Sequence, residues 1–236
     1  MATGNLATRT TDAQSIFAVP PRPAAIRAIA ATGGFSGLDG IAATVLVQRG
    51  QTLFFEGDPA RSCFRVVTGA VRSSRLLADG RRQVGDFFLP DDFFGFGHTG
   101  TYRSSAEAIT DTALISYPRK LLDATVEEQP GLGRALFAMV SGRLADAHLQ
   151  MLLLGRMNAE QRVATFLLAL SERCRTGDVV RLPMTREDIA DHLGLTIETV
   201  SRTISKLAAS GLIVLRTSNN IRILDRDALE DLAEGT

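Results

Sequence analysis

The sequence has few cysteines and no long apolar run, and each shortage excludes a class of protein. Its two cysteines, Cys63 and Cys174, lie far apart and outside any C-x-x-C pattern, so they form no disulfide framework and suit a reducing compartment. No segment reaches the roughly 18 apolar residues that a membrane span requires. The N-terminus lacks the basic start and apolar core of a signal peptide. We therefore expect a soluble, cytoplasmic protein with no membrane partner.

The overall charge gives no sign of a nucleic-acid partner, but its distribution does. The 236 residues carry 26 basic and 26 acidic side chains, whereas nucleic-acid-binding domains are often basic. Residues 196 to 224, however, contain four basic residues and one acidic residue, and the acidic end from Asp225 onwards offsets them.

The chain length allows two domains.

The N-terminal half has the texture of a β domain. Residues 1 to 24 are rich in Ala, Thr and Pro and predict a flexible arm. From Ala43 to Ile115, short apolar runs alternate with turn signals such as Thr68-Gly69 and Asp79-Gly80. Strands at this spacing favour a barrel or sandwich over alternating β-α units.

After Pro130 the apolar period becomes helical. Six residues recur at alternating spacings of three and four, which is a heptad seam; they are Phe137, Val140, Leu144, Ala147, Met151 and Leu154. Such a stripe also fits a helix buried within one subunit. Because the seam is narrow and has polar neighbours, we favour a dimerisation helix over 130–156.

Two capped helices follow a break at Asn158. Thr185 and Asp188 have the spacing of a capping box, and Gly194 predicts the end of that short helix. Thr196 then caps a second helix that runs to about Ser210. Two helices joined by a tight, glycine-bearing turn form a helix-turn-helix unit.

The second helix has one apolar and one polar side. Val200, Ile204, Leu207 and Ala208 lie at core spacing, and the opposite face carries Glu198, Ser201 and Arg202. Arginine can bond O6 and N7 of guanine together, and glutamate can accept from the N4 amine of cytosine. The alternative is a surface ion pair between Glu198 and Arg202.

The surrounding elements favour DNA contact over that ion pair. Residues 212 to 224 alternate apolar and polar around Ser218-Asn219-Asn220 and predict a β-hairpin wing. We predict base contacts by Glu198, Ser201 and Arg202. Contacts with the DNA backbone are predicted for seven further polar residues of the unit, which are Thr185, Thr196, Thr199, Ser205, Lys206, Arg216 and Arg222.

In this order, a β domain, a heptad helix and a winged helix-turn-helix resemble the CRP/FNR family of bacterial transcription regulators. The segment "LPMTREDIADHLGLTIETVSRTISKL" carries the E-x-x-S-R pattern of the FNR-like branch, with Ile197 where the cyclic-AMP branch has arginine. The segment "ADGRRQVGDFFLPDDFFGFG" is similar to FixK-type regulators. The resemblance implies an α+β fold with a cyclic-nucleotide-binding-like β-roll over 25–129, a dimerisation helix over 130–156 and a DNA-binding domain over 157–236. It also implies a homodimer that binds a TTGA-N6-TCAA-like palindrome and works with RNA polymerase, as an activator or a repressor.

The sequence indicates the effector of such a regulator less clearly than it indicates the DNA-binding unit. Cyclic-nucleotide members carry G-E-L and then R-S, whereas this chain has Gly95-Phe96-Gly97 and then Arg103-Ser104. The N-terminal arm has no cysteine for an iron–sulfur cluster, and the three histidines, His98, His148 and His192, are scattered. We expect no cofactor and no metal. The alternative is a cyclic nucleotide held at Gly95, Arg103 and Ser104.

Enzyme signatures are missing as well. The sequence contains no G-x-S-x-G motif, no phosphate loop and no metal-ligand cluster. We therefore predict no catalytic residues and no enzymatic activity.

Overall fold

The computed structural model describes residues 36–97, 100–173 and 179–235. The predicted arm over 1–24 lies outside these residues, as do His98 and Cys174. Within the described ranges, no helix is long and apolar enough to cross a membrane.

The N-terminal domain is a β-roll of two antiparallel four-stranded sheets. Its strands are β1 (Ala43–Val47), β2 (Thr52–Phe54), β3 (Ser62–Thr68), β4 (Val71–Leu76), β5 (Arg82–Phe88), β6 (Phe93–Phe94), β7 (Ser105–Ala108) and β8 (Thr112–Pro118). One sheet has the order β1-β8-β3-β6 and the other β2-β7-β4-β5. In the first sheet Phe64 pairs with both Ser116 and Phe94. This arrangement confirms the predicted β domain.

The turn between β3 and β4 requires glycine. Gly69 has a φ of +86°, and a Cβ atom there would lie 2.5 Å from the carbonyl oxygen of Asp111. A side chain would therefore be strained by its backbone and would also clash with the neighbouring loop. The Thr68-Gly69 turn signal is confirmed.

One short helix precedes the strands of the β-roll, and two helices connect the β-roll to the C-terminal domain. A short 3-10 helix spans Ser36–Ile41, and a connecting helix, Arg119–Glu128, follows β8. The long helix spans Pro130–Arg156. Leu132, Ala135 and Met139 on this helix are buried against residues of the β-roll and the connecting helix. The long helix is thus part of the core of its own chain.

The C-terminal domain packs four helices and a small sheet. The scaffold helix is Ala159–Arg173, the first motif helix is Arg186–Leu193, the recognition helix is Ile197–Ala209 and the C-terminal helix is Arg226–Glu234. The sheet contains β9 (Val179–Arg181), β10 (Ile213–Thr217) and β11 (Asn220–Ile223) in the order β10-β11-β9. Asn158 caps the scaffold helix as predicted, because its Oδ1 accepts from the N–H of Gln161 at 3.0 Å.

The two domains share one hydrophobic core. Val84 and Phe87 of β5 belong to the same buried cluster as Val163, Ile189 and Leu193 of the C-terminal domain. Above this cluster, aspartates of the β-roll contact arginines from both neighbouring elements.

One arginine of the long helix and one of the scaffold helix contact these aspartates. Arg143 of the long helix lies 2.6 Å from Asp86, and Arg173 of the scaffold helix lies 2.6 Å from Asp92. The β-roll therefore contacts the long helix and the DNA-binding domain side by side.

Candidate nucleic-acid interface

The first motif helix begins with the predicted capping box. The hydroxyl of Thr185 accepts from the N–H of Asp188 at 3.1 Å, and the Asp188 carboxylate accepts from the N–H of Thr185 at 3.0 Å. The helix ends at Gly194, whose backbone is left-handed with a φ of +64°. Both ends of this helix are therefore determined by local sequence.

The recognition helix is positioned by a cap at one end and by apolar packing along one face. Thr196 accepts from the N–H of Thr199 at 3.2 Å. Val200, Ile204 and Leu207 are buried in the domain core, as their spacing predicted. The opposite face must therefore point to solvent.

Glu198, Ser201 and Arg202 are all exposed on that opposite face. Among the ion pairs of the part of the chain that the structure describes, none joins Glu198 to Arg202. Ile197, where a second arginine would widen the basic face, is 43% exposed. The fold brings the three predicted base-contacting residues together near the N-terminal end of the recognition helix.

Several predicted backbone-contacting residues already have partners within the protein. The hydroxyls of Thr196 and Thr199 lie 3.0 Å apart, and Ser205 donates to the carbonyl oxygen of Ser201 at 3.0 Å. Lys206 lies 2.5 Å from Glu160 of the scaffold helix. The hydroxyl of Thr185 donates to Asp188 at 2.9 Å. The hydroxyls of Thr185 and Ser205 would have to exchange these bonds to donate to a phosphate, whereas the Lys206 ammonium keeps N–H donors besides the one that faces Glu160.

The wing has one strand more than the sequence predicted. The hairpin of β10 and β11 is present, with Arg216 exposed and Arg222 half-buried opposite Val214. β9 pairs with β11 and places Arg181, which is exposed, opposite Asn220. Only the short apolar run Val179-Val180 before Arg181 signals this strand, which is why sequence reasoning missed it.

Arg186 attaches the wing to the first motif helix. Its Nη2 donates to the carbonyl oxygen of Ser218, in the wing turn, at 3.1 Å. Burial lowers the pKa of this guanidinium, although arginine stays charged at neutral pH. Arg186 thus fixes the wing relative to the helix-turn-helix.

The predicted dimerisation seam lies on the solvent side of the long helix. Phe137 is 75% exposed and Leu144 is 57% exposed. Val140, Ala147 and Met151 are exposed as well. The side chain of Leu154 lies outside the described residues.

The predicted effector residues lie near the aromatic interior of the β-roll, but they do not line a shared site. Arg103 is exposed and Ser104 is half-buried, while a Cβ atom at Gly95 would lie 3.1 Å from the Phe64 ring. The rings of Phe54 and Tyr102 stack with centroids 3.6 Å apart. Within residues 36–97, 100–173 and 179–235, no three His, Cys, Asp or Glu side chains group as a metal site would require.

Known proteins share both domains. Residues 44–129 match the cyclic nucleotide-binding domain, and residues 161–232 match the Crp-like helix-turn-helix domain. The nitrogen fixation regulation protein FixK of Rhizobium meliloti strain 1021 is 44% identical over 183 residues, covering 78% of this chain and 83% of that protein. The transcriptional activator protein anr of Pseudomonas aeruginosa is 36% identical, covering 80% of each chain.

A solved structure shows that the similarity to FixK proteins extends to the three-dimensional fold. FixK2 from Bradyrhizobium japonicum superposes with a TM-score of 0.79 at 42% identity, covering 81% of this chain and 97% of that one. A β-roll joined to a winged helix-turn-helix defines a class of DNA-binding transcription regulators. The chain belongs to the CRP/FNR family of these regulators, and its similarity to the FixK proteins confirms the FixK-type resemblance.

Proposed function

We propose that this regulator binds a TTGA-N6-TCAA-like palindrome as a homodimer, without a cyclic-nucleotide or iron–sulfur effector. The observation that carries the proposal is the exposed group of Glu198, Ser201 and Arg202 on the recognition helix. The Arg202 fork matches the two acceptors of a guanine, and the Glu198 carboxylate matches the amine of a cytosine. Together they suit G·C pairs, of which each half of this palindrome contains one.

The exposed seam supports the homodimer. A soluble protein that leaves large apolar side chains exposed along one helix has a surface suited to a partner, and heptad spacing suits an identical helix. The basic patch of each copy is small, so it provides few phosphate contacts. Binding two half-sites at once raises the effective affinity.

The aromatic interior of the β-roll supports regulation without a nucleotide. Small-molecule sites are cavities with a few polar groups pointing inward. Here Phe54, Phe94 and Tyr102 are buried in that interior, and the Tyr102 hydroxyl donates to the Ser62 carbonyl oxygen at 2.7 Å. A bound nucleotide would have to displace these rings. We infer that the β-roll serves as a scaffold, and that RNA polymerase contacts the DNA-bound dimer.

One titration separates the proposal from its alternative. The purified protein is added to a labelled TTGA-N6-TCAA duplex at fixed salt, with and without cyclic AMP. Tight binding without the nucleotide supports the proposal. Binding that strictly depends on cyclic AMP would instead favour the nucleotide-responsive regulator that uses Arg103 and Ser104.

A single substitution tests the recognition helix. Arg202→Ala should weaken binding by about 1 to 3 kcal/mol, or about 5- to 150-fold, and relax the preference at one G·C pair. Arg75→Ala is the matched control, because this exposed arginine lies on β4 and pairs with Glu56. Equal weakening by Arg202→Ala on every base sequence would make Arg202 a phosphate contact instead of a base contact.

A further inference from the structure

The first motif helix contacts the β-roll through one polar face. Asp188, Asp191 and His192 lie three and four residues apart, so they share a side of the helix. Arg82 of β5 donates to Asp191 at 2.7 Å and to Asp188 at 3.0 Å. The neighbouring Gln83 donates to the carbonyl oxygen of Asp191 at 2.6 Å. Strand β5 therefore binds this helix at two successive turns.

A second arginine reaches the same helix from β4. Arg72 donates through Nη2 to both carboxylate oxygens of Glu107, at 3.0 Å each, and through Nη1 to Asp188. Glu107 belongs to β7, which pairs with β4. Because Glu107 holds the plane of the Arg72 guanidinium, Nη1 of Arg72 is directed towards Asp188.

Asp188 joins these contacts to the start of the helix. Its side chain is 1% exposed, one oxygen accepts from Arg72 and Arg82, and the other accepts from Thr185. The capping carboxylate is thus shared between the helix and the β-roll. Surface ion pairs contribute little to stability, but a buried carboxylate with four hydrogen bonds restricts geometry strongly.

The apolar contact between β5 and the first motif helix does not by itself set the angle between the domains. Val84 and Phe87 pack on Ile189 and Leu193, but apolar burial is non-directional. Hydrogen bonds from guanidinium groups have preferred directions. The polar contacts therefore add directional restraints on the orientation of the first motif helix on the sheet.

The recognition helix follows the first motif helix as one body. Ile189 and Leu193 share a buried core with Val200 and Ile204. Arg162 of the scaffold helix donates to the carbonyl oxygen of Leu193 at 3.0 Å, next to the turn between the two helices. A rotation of the first motif helix would consequently move the recognition helix.

We propose that Arg72 and Arg82 are positioning residues for DNA recognition, which set the angle of each recognition helix and hence the half-site spacing that the dimer accepts. This inference rests on the proposed function, since it requires two recognition helices on one palindrome. Dimeric helix-turn-helix proteins read two half-sites whose separation matches the geometry of the pair. Neither arginine needs to touch DNA for this role.

The test is a series of duplexes with identical half-sites and spacers one or two base pairs shorter or longer than N6. We expect the wild-type protein to prefer one spacer, and Arg82→Gln and Arg72→Gln to reduce that preference about tenfold or more while binding a single half-site as the wild type does. Arg82→Lys, which keeps the charge, should restore part of the preference. Arg81→Gln is the matched control, because Arg81 is exposed and pairs with Asp79.

The possible outcomes are distinguishable. If Arg82→Gln lowers affinity equally for every spacer and leaves the preference intact, the positioning role is wrong. If a Gln variant melts earlier than the wild type, the single half-site titration shows whether its DNA-binding domain is still folded, and the spacer series is then measured below its melting temperature. A wild-type spacer preference in that folded variant contradicts the positioning role. If the wild type itself binds no palindrome of the series, the proposed function fails before the inference is reached.

Discussion

Replacing Phe137 by alanine should weaken the proposed homodimer more than any other alanine substitution along the seam. The ring is 75% exposed in the single chain, and full burial of a phenylalanine stabilises by about 1.5 to 3 kcal/mol. Three quarters of that free energy, lost on each of two copies, gives about 2.3 to 4.5 kcal/mol, or a dissociation constant about 50- to 2,000-fold higher. Sedimentation velocity over a dilution series measures this constant directly.

Leu76→Ala provides the matched control for this experiment. Leu76 lies on β4, away from the long helix, and is 76% exposed, so its removal changes surface hydrophobicity in the same way. Its dissociation constant should equal that of the wild type. A wild-type protein that sediments as a monomer at micromolar concentration, or a Phe137→Ala variant that dimerises as tightly as Leu76→Ala, would refute the assignment of the seam.

Two further predictions concern buried groups. Burial between the domains lowers the pKa of His192, although the charge of Asp86 acts in the opposite direction. Below about pH 6.5 the histidine takes up a proton more readily in the unfolded chain than in the folded one, so the free energy of unfolding should fall as the pH drops. Urea unfolding at several pH values from about 5 to 7.5 measures how the free energy of unfolding changes with pH. This free energy should change less with pH in His192→Gln than in the wild type and the His148→Gln control, and an equal pH dependence in all three would contradict the prediction. Burial also raises the pKa of the Cys63 thiol to about 12, so in a Cys174→Ser background a thiol reagent at about pH 8 should react after unfolding only, and rapid labelling of the folded protein would refute this.

The local features of the interface could be predicted from the sequence because short-range chemistry determines them. Thr185, Asp188 and Gly194 specify a helix start and stop within ten residues, and all three have the predicted roles. The long helix begins at Pro130, as predicted, because a proline is tolerated at the first position of a helix. The 3.6-residue period alone placed Val200 and Ile204 in the core.

The contacts between the domains could not be predicted in this way. Arg72 and Asp188 are 116 residues apart, and each alone is typical of a solvated surface charge. β9 has three residues, too few for a strand period, and depends on pairing with β11. The aromatic packing of Phe54 on Tyr102 likewise depends on β-roll closure. Long-range pairing therefore accounts for most of what sequence reasoning missed.

The two faces of the long helix have a consequence for the kinetics of assembly. Leu132, Ala135 and Met139 hold the helix to its own chain, so its solvent side is formed before a second copy arrives. In the homodimer that we propose, association then joins two ordered surfaces and does not require coupled folding. The rate of association should consequently depend on collision and orientation, and dilution should release folded single chains.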